Sequence, residues 1–148
     1  MLYTVGEMAK RIGVAPSTLR YYDKEGLLPF VERSESGVRV FKETDAEWLR
    51  VIGCLKRTGM RLRDIKRFVE MAMQGDETID ERLALIVAQR ERVTAQLAEL
   101  EETLHTLEYK EWYYRTAKAH GSTAVPRETP TEQLPEALRT ARERLQNG

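Results

Sequence analysis

Residues Thr4 to Leu28 read TVGEMAKRIGVAPSTLRYYDKEGLL, and their spacing predicts two short helices joined by a tight turn. Thr4 and Glu7 stand at capping-box separation: the hydroxyl accepts a free amide at the helix start and the carboxylate reaches back. Val5, Met8, Ala9 and Ile12 then recur on one helical face, and Gly13 supplies the left-handed backbone that ends the helix. Pro16 suits the first turn of a second helix. At 100° per residue, Leu19 and Tyr22 share one side of that helix, while Ser17, Arg20, Tyr21 and Lys24 cluster on the other. Hydroxyl, guanidinium, phenol and ammonium groups on one exposed face suit phosphates and base edges in a major groove. Taken alone, the same face also fits an ordinary solvated surface.

Beyond Gly26 the run FVERSESGVRVF places two short β-prone segments, Phe30 to Glu32 and Val38 to Phe41, around Ser34 to Gly37. The pattern predicts a hairpin with a glycine turn from which Arg33 and Arg39 project toward phosphates. A second capping box, Thr44 to Glu47, is expected to open a helix running through Thr58, with Gly59 closing it. A further helix follows, with Leu62, Ile65, Phe68, Val69 and Ala72 as its apolar stripe.

Three segments in order, STLRYYDKEGLLP, RSESGVRVF and LKRTGMRLRDIKRF, resemble the MerR family of bacterial transcription regulators across residues 1–75. The resemblance implies a mainly α fold: a winged helix-turn-helix DNA-binding domain at 1–75, a coiled-coil dimerisation helix at 76–120 and a C-terminal tail at 121–148. With the exposed face and the wing, it gives Ser17, Thr18, Arg20, Tyr21, Tyr22, Lys24, Arg33 and Arg39 as expected DNA contacts, and the added cation at Arg61 joins them. Two positions depart from the family pattern. Val38 stands where the wing often has an aromatic residue, and Arg61 where a small polar cap is usual, leaving the next helix without a side-chain cap but adding a cation.

Charge divides along the same line. The chain has 24 basic and 24 acidic residues; residues 1–75 carry 14 against 10, a net +4, leaving −4 for the remainder. A basic first half fits a DNA-binding lobe and an acidic second half an assembly element. The N-terminus has Glu7, Lys10 and Arg11 and no apolar run suited to export or membrane insertion, so a cytoplasmic location is expected. A single cysteine forms no intrachain disulfide.

From Ile79 the apolar spacing becomes 4-3: Ile79, Leu83, Ile86, Arg90, Val93, Leu97, Leu100, Leu104 and Leu107. With no proline or glycine between 78 and 119, one helix of about 60 Å is expected, its narrow stripe requiring a partner. Arg90, the one charged seam residue, is expected to snorkel to water. The resemblance implies that two such helices pair antiparallel and hold two reading heads on one palindromic operator. An aromatic cluster, Tyr109, Trp112, Tyr113 and Tyr114, ends the helix; it fits dimer packing or an apolar effector site. Pro126, Pro130 and Pro135 predict a loose tail with a short helix from about Pro135 to Leu145.

Metal-responsive members of the family carry several cysteines near the end of the coiled coil, where this chain has none. His105 and His120 are the only histidines and are too far apart on one helix to pair, so neither a metal nor a cofactor is expected. Cys54 is the sensor candidate. It lies at the edge of the face made by Trp48, Val51, Ile52 and Leu55, with Arg50 and Arg57 about one turn away on either side, a setting that favours a thiolate. A cysteine there resembles the aldehyde- and electrophile-responsive branch; inert packing is the competing reading. No catalytic triad or nucleotide-binding glycine loop is present, which argues against an enzyme. The family mechanism implies binding between promoter elements, distortion of an overlong spacer and realignment of RNA polymerase contacts. An effector-independent architectural DNA binder is a further alternative.

Overall fold

The computed structural model describes residues 1–148 as a mainly helical chain of two compact units, Met1–Val93 and Thr94–Gly148. In the first unit, α1 (Val5–Ile12) starts with the expected capping box. Glu7 N donates to Thr4 Oγ1 at 3.3 Å and Thr4 N donates to Glu7 Oε2 at 2.8 Å. Gly13 closes the helix at φ 74°, a conformation costly for residues with a Cβ. Pro16 opens α2 (Pro16–Lys24), and Gly26, also at φ 74°, follows it.

A three-stranded antiparallel sheet of order β1-β3-β2 comes next. β2 (Glu32–Arg33) and β3 (Arg39–Lys42) form the expected hairpin. Its turn is closed by Ser34 N to Val38 O and Gly37 N to Ser34 O, both 2.8 Å. β1 (Leu2–Tyr3) pairs with the other side of β3, Leu2 opposite Lys42 and Tyr3 opposite Phe41. The sequence pattern does not reveal this strand, because two residues are too few to show an alternation.

The second capping box does not form. Thr44 is already helical at φ −64°, ψ −26° and its hydroxyl caps nothing. β3 runs almost directly into α3 (Asp45–Arg57), leaving no extended residue for an N-cap. Asp45 reaches back instead and accepts Lys42 N at 2.7 Å. Arg61, extended at φ −65°, ψ 144°, precedes α4 (Leu62–Gln74) without a side-chain cap, as its side chain predicts.

These elements close over one core. Met8, Leu19, Leu27, Phe41, Ile52, Ile65 and Val69 are each at most 1% exposed, and burying each such side chain stabilises the lobe by roughly 1.5–3 kcal/mol. α5 (Ile79–His120) is one unbroken helix of 42 residues. Its first turns belong to the same unit as the lobe, where buried Gln89 donates to Thr58 O at 2.9 Å. The seam stays open, from 40% exposure at Ile86 and Val93 to 66% at Leu100.

In the second unit the tail is not loose. α6 (Ala124–Glu128), a 3-10 turn at Thr131–Gln133 and α7 (Glu136–Asn147) follow α5. Leu134, Ala141 and Arg142 are buried. Proline spacing suggested open chain here because the side chain that organises the segment is a charged one, Arg142.

Candidate nucleic-acid interface

Burial sorts α2 by angle. Leu19 and Tyr22 enter the core, Thr18 is half-buried, and Ser17, Arg20, Tyr21 and Lys24 are exposed. Tyr22 therefore departs from its place among the expected DNA contacts. It is 5% exposed within the apolar cluster, and burial pushes its phenol pKa above the usual value. Tyr21 remains outside. Lys56 of α3 places its ammonium 4.9 Å from the Tyr21 ring centre and 5.4 Å from that of Tyr22, within cation–π range of both rings. Lys56 was not legible from spacing, since it lies 35 residues downstream of Tyr21.

The two wing arginines differ. Arg33 is exposed at 54% of its side chain and donates through Nη1 to Gly37 O at 2.8 Å. Arg39 does not project: only 22% exposed, it pairs with Asp23 of α2 and donates through Nη1 to Val31 O at 2.7 Å. The expected phosphate grip from Arg39 gives way to a contact that ties the wing to the helix beside it. Asp23 Oδ2 also lies 3.6 Å from Arg33 Nη2.

A second polar knot lies at the start of the lobe. Tyr3 OH donates to Glu43 Oε2 at 2.8 Å, and Arg11 pairs with the same carboxylate. Hydrogen bonding to Glu43 raises the Tyr3 pKa, while donation from Tyr3 and then Arg11 lowers that of Glu43. Lys42 pairs with Glu32 across the hairpin, and that hydrogen bond raises the Lys42 pKa. Arg61 is exposed at the mouth of α4. α4 also reaches the end of α2: a Cβ on Gly26 would stand 3.2 Å from Lys66 Nζ.

Cys54 is exposed on α3, with Arg50 four residues before it and Arg57 three after. Burial does not shield the thiol. The next residue, Leu55, lines an apolar cleft of about 260 Å³ with Met60, Ile86 and Val93.

The aromatic cluster lies in the other unit and is occupied from within. Arg142, 4% exposed, sets its guanidinium 5.4 Å from the Tyr109 ring centre and 5.6 Å from that of Trp112. It donates to Tyr109 OH at 3.0 Å, Thr129 O at 2.6 Å and Pro126 O at 2.8 Å. Tyr113 OH donates to Thr123 O at 3.3 Å. Tyr109, Trp112 and Tyr113 thus hold the C-terminal segment on the helix. No helix of the chain is long and apolar enough to cross a membrane.

Residues 3–72 match the family model for the MerR HTH family regulatory protein and residues 46–109 that for MerR, DNA binding. An uncharacterized HTH-type transcriptional regulator of Haemophilus influenzae is 52% identical over 122 residues, covering 82% of this chain and 90% of its own. HiNmlR, a MerR family regulator lacking the sensor domain and crystallised bound to promoter DNA, is 51% identical with a TM-score of 0.65. That match covers 84% of this chain and 99% of HiNmlR. A MerR family transcriptional regulator from Bacillus thuringiensis is 41% identical with a TM-score of 0.60, over 80% of this chain and 99% of its own.

Proposed function

The chain belongs to the MerR family of helix-turn-helix transcription regulators, and from that membership we propose that it binds an inverted-repeat operator in a promoter spacer as a homodimer and distorts it. It is a regulator and not an enzyme, as are the relatives it matches. The observation that carries the proposal is the angular split of α2. The fold buries Leu19 and Tyr22 and leaves Ser17, Arg20, Tyr21 and Lys24 exposed. In this reading Arg20, Ser17 and Thr18 meet base edges and phosphates, Tyr21 and Lys24 flank them, and Arg33 and Arg61 hold backbone phosphates. HiNmlR, with its promoter DNA, supports the choice of ligand.

The open seam of α5 supplies the second element. Pairing it with a second copy buries the exposed leucines and ties two weakly binding heads together, so each raises the effective concentration of the other on a two-fold operator. Smoothly bending a site of about 20–30 bp costs roughly 1–6 kcal/mol, which the added contacts offset. A modest bias between two dimer shapes then changes how RNA polymerase meets the promoter. Arg20→Ala, titrated against a duplex from the chain's own promoter region, should weaken binding by roughly 1–3 kcal/mol, with two chains bound per operator. Unchanged affinity and unchanged salt dependence would remove Arg20 from the interface, and one chain per operator would remove the dimer.

The bias in this proposal comes from Cys54, and the observation that favours it is the exposure of the thiol between Arg50 and Arg57. Addition of the Cys54 sulfur to an aldehyde carbonyl forms a carbon–sulfur bond while the carbonyl π bond breaks and its oxygen takes up a proton, adding bulk on α3. The aromatic cluster is the weaker effector candidate, because Arg142 already covers Tyr109 and Trp112. Transcription in vitro from the chain's own promoter region, with and without formaldehyde, tests the assignment. Response in wild type and none in Cys54→Ala supports Cys54 as the sensor; equal responses, or none in either, with promoter binding retained, remove Cys54 from the sensing step.

A further inference from the structure

The sole acidic residue of α2, Asp23, faces a charge problem set by the wing. Arg33 and Arg39 are direct partners in the β2–β3 register, and like charges directly opposite one another destabilise a strand pair. Asp23, 23% exposed, is paired with Arg39 and lies 3.6 Å from Arg33 Nη2. Each guanidinium is also fixed to a carbonyl, Arg33 to Gly37 O at 2.8 Å and Arg39 to Val31 O at 2.7 Å. One carboxylate on the reading helix therefore seats both strands of the wing and neutralises part of their charge. The two arginines remain unequal: the Arg33 side chain is 54% exposed and that of Arg39 22%.

We propose that Asp23 is a positioning and specificity-determining residue that withholds the wing cations from sequence-independent phosphate binding and releases Arg33 only when a duplex is seated on α2. The role rests on the DNA-reading function proposed above. Sequence-independent affinity is governed by the number of phosphates neutralised, and each adds about −0.9 to the slope of log K against log salt. With Asp23 in place, an encounter with random sequence meets a wing whose charge is partly cancelled. In the register set by the reading helix, a phosphate at Arg33 replaces the longer of the two Asp23 contacts, while Arg39 keeps the wing in position.

The test uses full-length D23N, D23E and wild type, each titrated between about 50 and 200 mM salt against two duplexes. One comes from the chain's own promoter region and the other is a random sequence of equal length. D23N preserves the shape and removes the charge. Its slope on random sequence is expected to steepen by about 1 to 2, and its preference for the promoter duplex to fall roughly ten-fold, with D23E returning both toward wild type. A D23N slope and preference equal to wild type overturn the role. Loss of promoter affinity with an unchanged random-sequence slope also overturns it, leaving Asp23 with packing alone. If D23N does not fold, R33Q takes its place. It should lower the slope on the promoter duplex by about 1 and leave that on random sequence unchanged; an equal drop on both overturns the proposal. A wild type that binds neither duplex overturns the DNA-reading function itself, and this role with it.

Discussion

Ile52 and Ile65 in the N-terminal lobe expose none of their surface, whereas Leu97, Leu100, Leu104 and Leu107 on α5 expose 53–66% of theirs. Both sets are apolar residues on regular helices. The lobe has four helices and a small sheet to close around its apolar stripes, so it satisfies itself. The seam has a stripe too narrow for a core and matched to a second helix. Self-burial and burial on assembly can thus be told apart within one chain, and the two should fail independently.

The largest expected effect lies on the seam. Leu97→Asp combined with Leu104→Asp places four carboxylates in the interface of each dimer; at roughly 2 kcal/mol apiece, dimerisation weakens by about 8 kcal/mol. Sedimentation should show a monomer whose far-UV circular dichroism retains the lobe. A variant that remains dimeric would move the interface elsewhere. The reverse experiment is Phe41→Ala. Phe41 is 1% exposed on the central strand β3, and truncation should cost about 3–5 kcal/mol of lobe stability in urea unfolding. If it weakened dimerisation as much as the aspartates do, the distinction between the two regions would break.

The C-terminal segment sharpens the comparison, because there a polar residue replaces the apolar core. Arg142 is buried, held by two ring faces, the Tyr109 hydroxyl and two backbone carbonyls. Arg142→Ala leaves those carbonyls without their donor and should cost about 2–3 kcal/mol, locally. Hydrogen exchange across residues 121–148 should accelerate while the lobe keeps its protection. Uniform acceleration would mean that this segment does not open by itself.

What could be read from sequence was local. The bounds of α1 and α2, the hairpin turn and the seam follow from caps, glycines and periodicity within a few residues of one another. What could not be read depends on distant partners. Spacing alone predicts that Arg39 projects, because its neutralising carboxylate lies 16 residues earlier, at Asp23. The Thr44 cap failed because β3 occupies the approach to α3. Arg142 gave no sign of organising the tail, since its main ring partners lie on α5 some 30 residues earlier and a charged residue reads as exposed. For the interface, the angular split of α2 was legible in full, with Leu19 and Tyr22 on the core side; only the added expectation of a DNA contact from Tyr22 fails, because that side is buried.

The smallest effect belongs to the lobe's local signal, the Thr4–Glu7 box. Thr4→Ala should cost about 0.5–2 kcal/mol and leave dimerisation unchanged, because the seam has no part in it. Glu7 adds a pH signature. Donation from Thr4 N, then from the Thr4 hydroxyl, lowers its carboxyl pKa in the folded lobe. A depressed carboxylate pKa contributes stability that is present above the unfolded value, near 4.3, and is lost as pH falls through the folded one. The stability gap between wild type and Glu7→Gln, followed by thermal melts from pH 7 to pH 3, should therefore be constant in the neutral range and close in acid. A gap independent of pH would show that Glu7 acts through its shape rather than its charge. The box would then resemble Thr44, where the sequence has capping residues and the helix starts without them.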